Sequence, residues 1–222
     1  MERRFDGSSV EANSHADRIA WERDGASFPG DLFDSWMQCM THPVEFFDRL
    51  DPEVPFGRPL LFFLLFWILG GGLGTLSTQA VLGGWYADYL VEEGRAAPGT
   101  AWYVFMFLLS PFIGLAALAM YTGLTHLGAR LFVRGARPIG VTARGLCYVT
   151  APQVVAIVPL IGWFVASLWS LFLAVVAIQR VHSTTTGRAV AAVLVPQFVF
   201  WFGLLMMFAL IVAFIAVAVG GA

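Results

Sequence analysis

The sequence contains no lysine, and it has no acidic residue after Glu93. Charged residues make up only 13% of the 222 residues, whereas 58% are hydrophobic. This balance excludes an ordinary soluble domain and indicates a membrane protein. The net charge of -2 combines an acidic N-terminal part with a basic remainder, and nothing in it favours a nucleic-acid partner.

Cysteine is also scarce, with Cys39 and Cys147 far apart and no C-x-x-C spacing. A disulfide framework and a zinc site are therefore not expected. His42, His126 and His182 could join Cys39 as metal ligands, but they belong to separate elements, and we predict interfacial polar residues with no metal and no cofactor. The N-terminus lacks the apolar core of a cleavable signal peptide, so the first span is expected to carry the insertion signal.

Long apolar runs predict the fold. A spanning helix needs about 20 mostly apolar residues, and the chain offers five such runs. We predict an all-α, polytopic membrane protein with a five-span transmembrane helical bundle over residues 57–222. The predicted spans are 59–82, 101–127, 140–158, 160–178 and 189–218. Fusing the third and fourth spans would give a helix of about 58 Å, roughly twice the hydrocarbon thickness, so a tight turn at "VPLIGW" is preferred.

The region before the bundle divides in two. Residues 1–30 are polar and aperiodic, which predicts a disordered cytosolic tail. Residues 31–56 form an amphipathic interfacial segment, in which one helical face is apolar and the other acidic. The apolar face contains Leu32, Phe33, Trp36, Met37 and Met40. Docking of this face on lipid and docking on the protein's own helices remain equally open.

Arginine bias predicts the orientation. Arginines cluster in the loop before the third span and in the hinge before the fifth, whereas the loop after the first span is mainly acidic. The positive-inside rule then places the N-terminus, the arginine loop and the hinge in the cytosol and the C-terminus outside.

The first span contains Gly70 and Gly74 at a small-xxx-small spacing. This spacing predicts close helix packing, within one chain or between chains of a homo- or hetero-oligomer. A flexible break that opens a path through the membrane is the alternative.

The hinge "QRVHSTTTGRA" between the last two spans carries the strongest residual functional signal. Its hydroxyl residues suit the N-cap of the last helix, but Arg188 in the first helical turn opposes the helix dipole. Arg188 either enforces topology or belongs to an anion site for a phospholipid head group or an acidic partner segment. The candidate site residues are Arg180, His182, Ser183, Thr184, Thr185, Thr186 and Arg188.

Two stretches carry a family resemblance. "T-x-P-x-x-F-F" at residues 41–47 precedes the first span. With the second stretch, residues 147–196, it resembles the Yip-one domain family, especially its bacterial branch. The matching positions of that segment are Tyr148, Pro152, Pro159, Gly162, Trp169, His182, Ser183, Thr186, Gly187, Arg188 and Ala189. The resemblance covers about residues 35–196 and implies a five-span fold in a bacterial inner membrane. Eukaryotic members contact Rab-type GTPases through an N-terminal region, but their acidic "D-L-x-G-P" motif is not present here.

The expected function follows from what the spans contain. They hold no carboxylate and no H-E-x-x-H or G-x-S-x-G motif, which argues against an enzyme. We expect a non-enzymatic membrane organiser or adaptor that uses its cytosolic face to meet phospholipids or a membrane or cytosolic protein partner. A small carrier, channel or lipid-translocating protein is the alternative.

Overall fold

The computed structural model describes residues 18–51, 55–94, 96 and 98–220, with only the backbone described for 213–220. Within these ranges every regular element is helical and no strand occurs. Two short 3₁₀ helices, Ala20–Glu22 and Ala151–Ile157, accompany the α-helices. The α-helices are α1 (Gly30–Thr41), α2 (Pro43–Asp48), α3 (Gly57–Glu92), α4 (Thr100–Phe132), α5 (Ile139–Tyr148), α6 (Ile161–Val181) and α7 (Thr186–Gly220).

Four of the helices, α3, α4, α6 and α7, are long and apolar enough to cross a membrane. They contain the first, second, fourth and fifth predicted spans to within one residue. Their outward faces carry large apolar side chains that are uncovered by the rest of the protein, as lipid-facing helices require. The prediction of an all-α integral membrane protein is therefore confirmed.

The third predicted span, 140–158, is not a single spanning helix. The α-helix α5 ends at Tyr148, and the chain continues as the 3₁₀ helix Ala151–Ile157. Pro152 accounts for the change, because proline has no N–H to donate to the carbonyl of Tyr148 and its ring clashes with that carbonyl. Five regular spanning helices are therefore not confirmed.

Side chains of α1 complete the hydrogen bonding at this break. The Cys39 thiol donates to the carbonyl of Tyr148 at 3.6 Å. The indole Nε1–H of Trp36 donates to the carbonyl of Ala151 at 2.9 Å. Backbone carbonyls that a broken helix leaves free must find partners inside the protein when lipid surrounds it. The amphipathic helix α1 thus fills a gap in the membrane domain.

The segment from α5 to α6 is a hairpin whose two ends lie together. The backbone N–H of Arg137, just before α5, donates to Nδ1 of His182, just after α6, at 3.1 Å. At the tip, the N–H of Ile161 bonds to the carbonyl of Pro159 at 2.8 Å, and Leu160 has a φ of 68°. This is the rare γ-turn geometry, which is strained for a branched residue. The hairpin enters and leaves at one end of the bundle, which we name the basic end for its arginines Arg130, Arg134, Arg137, Arg180 and Arg188.

Glycines of α3 lie directly against the 3₁₀ helix of the hairpin. The helix α3 contains a π-helical turn, Ile68–Gly72. A Cβ added at Gly70 would overlap the carbonyl of Gln153, and one added at Gly74 would lie 2.6 Å from the carbonyl oxygen of Ala156. Ser77 then donates its hydroxyl to the carbonyl of Ile157 at 2.7 Å. Glycine is required at both positions for this backbone approach.

Residues 18–29 differ from the predicted disordered tail, whose positions 1–17 lie outside the described residues. Ile19, Trp21 and Glu22 are buried. The backbone N–H of Trp21 bonds to the Ser35 hydroxyl, and its indole donates to the carbonyl of Arg58, both at 2.8 Å. The buried Ile19 side chain, the Trp21 ring and these two hydrogen bonds dock a segment whose composition is otherwise mainly polar.

Candidate functional site

The hinge between α6 and α7 is a tight turn at the basic end. Helix α6 ends at Val181, and Ser183 adopts a left-handed conformation with a φ of 48°. The N–H of Thr184 then bonds to the carbonyl of Gln179 at 2.9 Å. This pattern is a helix C-cap of the kind that usually employs glycine or asparagine at the left-handed position.

Arg180 faces away from the rest of the hinge. Its guanidinium forms an ion pair with the carboxylate of Asp48, at the end of α2, across 3.4 Å. The two side chains are 35% and 51% exposed. Such surface pairs contribute at most about 1 kcal/mol, so this contact orients Arg180 towards α2 more than it stabilises the fold.

His182 is buried and fully engaged in hydrogen bonds. Its Nδ1 accepts the N–H of Arg137, so the neutral ring carries its proton on Nε2. That Nε2 lies 3.0 Å from the Thr142 hydroxyl oxygen, and Nδ1 of His126 lies 3.0 Å from the same oxygen on its other side. Because Arg130 Nε donates to His126 Nε2 at 3.4 Å, the geometry assigns the His126 proton to Nδ1. Thr142 thus accepts from both imidazoles and joins α4, α5 and the hinge.

The electrostatics of this cluster keep His182 neutral. Burial, reinforced by the positive charge of Arg137, lowers the pKa of His182 to about 4. A proton added at Nδ1 would also meet the N–H of Arg137 head-on. His182 is therefore a structural acceptor and is unsuited to binding an anion through a positive charge.

The other hinge residues remain outside this network. Ser183, Thr185, Thr186 and Arg188 are exposed and Thr184 is half-buried. Of the seven predicted residues, Arg180 and His182 therefore bond to other elements of the fold. The other five lie at least partly at the surface. Whether the outward group binds an anion stays a prediction.

A second polar cluster links the N-terminal segment to α5. Glu22 is only 3% exposed, and the Tyr148 hydroxyl donates to its Oε1 at 2.7 Å. Burial raises the pKa of the Glu22 carboxyl, although the Tyr148 hydrogen bond and the charge of Arg144 oppose the shift. Arg144 itself donates to the backbone carbonyl of Asp51. Glu22 and Tyr148 are 126 residues apart in sequence, so no local sequence pattern could have indicated that they pair.

The histidine cluster, and Arg144 and Tyr148 of the second cluster, lie in a region shared with a known domain, whereas Glu22 precedes that region. The family model of the Yip1 domain matches residues 37–209. The chain belongs to the Yip1 domain family. The match begins in α1 and ends in α7, so the Yip1 domain here includes the α5 break, the glycines of α3 and the hinge. Searches of curated proteins and of solved structures gave no match.

Chemistry typical of a catalytic centre is sparse in this Yip1 domain. Within the described ranges, no three His, Cys, Asp or Glu residues converge as metal ligands. Cys39 and Cys147 are both fully buried thiols. Buried polar groups such as Thr142 and His182 connect helices instead.

The outer face of α1 remains uncovered. Leu32, Trp36 and Met40 of the predicted apolar face pack against the core. Phe33 and Met37, one turn apart on the same face, are 55% and 40% exposed. The predicted apolar face of α1 is thus divided, with one half bound to the protein's own helices and the other half free.

Proposed function

We propose that this Yip1 domain protein is a non-enzymatic membrane organiser or adaptor that works through a cytosolic face made of α1, α2 and the hinge. The observation that carries the proposal is the anchoring of α1. One side of α1 is bonded to the helix break through Cys39 and Trp36, while Phe33 and Met37 project from the other side. A rigidly held helix with a free apolar face suits attachment to a lipid leaflet.

The depth of α1 supports contact with lipid. The Trp36 ring stacks on Phe66 of α3 with ring centroids 6.3 Å apart. Phe66 lies nine residues beyond Gly57, which is about 13 Å along the helix. Phe33 and Met37 therefore lie at the level of the leaflet on the side of the basic end, where they displace lipid and shape that leaflet.

The charge distribution supports the proposed orientation. The basic end contains the five arginines for which it is named and Arg58 in the first turn of α3, whereas Asp88, Glu92 and Glu93 lie near the other end of α3. Positive charge favours the cytosolic side, so the N-terminus and the hinge are proposed to be cytosolic, in a bacterial inner membrane. The outward hinge residues Thr185, Thr186 and Arg188 then offer a polar surface to lipid head groups or a protein partner.

Five crossings are compatible with the broken third segment. Ten residues of α5 and seven of the 3₁₀ helix together span about 29 Å. Ser77, which bonds to the hairpin tip, lies about 30 Å along α3 from Gly57. Both lengths match the hydrocarbon thickness of about 30 Å. We therefore retain five crossings, with the third formed by α5 and the 3₁₀ helix, and a C-terminus outside.

Photocrosslinking in cells tests the function. A photoreactive residue replaces Phe33 or Thr185 in the full chain, and Phe112 of α4, which is 68% exposed, is the control. We expect lipid adducts from position 33, head-group or protein adducts from position 185, and acyl-chain adducts alone from position 112. If positions 33 and 185 give the same products as position 112, the proposed cytosolic face is wrong.

The alternative function, a carrier, channel or lipid-translocating protein, remains a prediction. In liposomes containing the purified chain, an organiser leaves solute flux and lipid flip rates at the level of empty liposomes. Rates clearly above that level would favour the alternative.

A further inference from the structure

A cavity opens beside the glycine-rich stretch of α3, away from the basic end. Its volume is about 670 Å³, within the usual range for small-molecule sites. It lies between α3, α4 and the tip of the α5–α6 hairpin. Gly70, Gly71, Gly72 and Gly74 all line it, and Trp67 lies at its inner end.

The lining is mostly apolar, and its polar groups carry no charge. Hydroxyl and amide groups contribute to the wall although the cavity lies at membrane depth, and none of the lining residues is Asp, Glu, Arg or Lys. The polar lining residues are Thr75, Thr78, Gln79, Tyr103, Ser110 and Gln153. A phosphate placed here would lose its hydration with no cation to replace it, which is strongly unfavourable. Hydroxyl and ester groups would find hydrogen-bonding partners instead.

One of these polar groups lacks a partner. Among the described residues, Ser110 Oγ is buried and makes no hydrogen bond. It lies at the cavity wall, 3.7 Å from where a Cβ of Gly72 would be. This oxygen is not accessible from the cavity as it stands, so a bound group reaches it only when the Ser110 side chain rotates. Such a contact would recover part of the roughly 1–3 kcal/mol that an unpaired buried hydroxyl costs.

The rim of the cavity faces lipid. Leu76, Ile113 and Trp163 are apolar lining residues that are 39%, 47% and 68% exposed. Thr78 and Gln79 lie farther from the basic end of α3 than Gly70 and Trp67 do. The polar groups of the wall thus extend from Ser110 and Gln153, beside Trp67 and Gly70, to Thr78 and Gln79 nearer the distant membrane surface.

We infer that this cavity binds one membrane lipid with an uncharged, hydroxyl-bearing head group, of the diacylglycerol type. The head group lies against Thr78, Gln79 and Tyr103, its ester region reaches Ser110 and Gln153, and an acyl chain fills the space beside Trp67. The ligand enters sideways from the leaflet across the apolar rim. This site is separate from the proposed cytosolic face, so either proposal can fail without the other.

Gly71 permits a direct test. A Cβ at Gly71 would approach nothing nearer than Trp67 at 3.8 Å, so a larger side chain there enters the cavity without striking backbone. Gly84 of the same helix has nothing within 4 Å of an added Cβ and does not line the cavity. Gly71→Leu and Gly84→Leu therefore add the same bulk to α3, inside and outside the cavity.

The experiment uses the full chain in detergent with two photoactivatable probes that share acyl chains, a diacylglycerol and a phosphatidylglycerol. We expect diacylglycerol adducts on the peptides that line the cavity, with about tenfold less labelling by phosphatidylglycerol. Gly71→Leu should reduce the diacylglycerol labelling about tenfold, and Gly84→Leu should leave it unchanged. Gln153→Leu, which preserves the volume, should weaken the labelling and reduce the preference between the probes.

Two results would overturn the inference. Equal labelling of wild type and Gly71→Leu would show that the lipid does not occupy the cavity. Equal, Gly71-dependent labelling by both probes would show that the site does not select an uncharged head group. Circular dichroism and gel filtration of each variant establish that the fold and oligomeric state are retained before the labelling is compared.

Discussion

At the scale of single residues, the basic end depends on buried neutral groups that join helices. Thr142 accepts from His126 and His182, and His182 accepts from the backbone of Arg137. A neutral imidazole nitrogen is a suitable acceptor for the part-buried N–H of Arg137, since a buried donor left unpaired is costly. The hinge histidine therefore holds the start of α5 to the end of α6.

This arrangement predicts acid sensitivity. Since the pKa of His182 is lowered to about 4 in the fold, the unfolded chain binds more protons than the folded chain between about pH 4 and pH 6.5. Stability should therefore fall as the pH is lowered through that window. His182→Asn keeps an acceptor for Arg137 and removes the titrating ring, so it should flatten this part of the pH profile.

Thermal unfolding in one detergent, measured from pH 4 to pH 8, checks this prediction. The matched control is His42→Asn, because His42 is exposed, and it should leave the profile unchanged. A His182→Asn profile as steep as that of the wild type would assign the acid sensitivity to other groups.

At the scale of elements, α1 and the hairpin depend on each other. Pro152 ends α5 and frees backbone carbonyls, and α1 supplies the donors from Cys39 and Trp36. On the opposite side, α3 meets the 3₁₀ helix through Gly70 and Gly74. The irregular segment is thus enclosed by two helices, which is the condition for non-helical backbone to exist at membrane depth.

Gly70→Ala tests this enclosure. The new Cβ would overlap the carbonyl of Gln153, so α3 and the 3₁₀ helix must separate. We expect a loss of about 2 kcal/mol in the free energy of unfolding, typical of overpacking. Gly84→Ala, with open space around its Cβ, should be neutral or stabilising by up to about 1 kcal/mol. Equal stabilities for the two variants, from unfolding in the same detergent, would contradict the close approach.

At the scale of the whole molecule, the hairpin decides where the chain ends lie. Residues 139–181 enter and leave at the basic end, because Arg137 bonds to His182. Helix α3 starts at that end, where Phe56 lies beside Arg137 around a shared surface pocket, and α4 returns to it. Helix α7 then leaves, so its last residue, Gly220, lies at the end opposite the start of α3.

Cysteine accessibility tests the proposed topology. Leu160 at the hairpin tip is 66% exposed, whereas Cys39 and Cys147 are fully buried, so the wild type provides the unlabelled background. In intact cells, a membrane-impermeant maleimide should label Leu160→Cys. It should label Thr185→Cys only after permeabilisation.

Two other labelling results would contradict the proposed topology. Labelling of Thr185→Cys in intact cells would reverse the proposed orientation. Failure to label Leu160→Cys from either side would place the tip inside the bilayer and exclude the third crossing.

The sequence by itself determined the helical membrane class, the four long helices and the family, because apolar run length and local motifs express these directly. It also indicated the apolar face of α1 and the close glycine spacing of α3. The tertiary structure was needed to show that α1 fills the break after Tyr148 and that Glu22 pairs with Tyr148. It was also needed to show that the side chains of Arg180 and His182 bond to Asp48 and Arg137 and not to the other hinge residues. These features depend on contacts between distant residues, whose partners no local periodicity specifies.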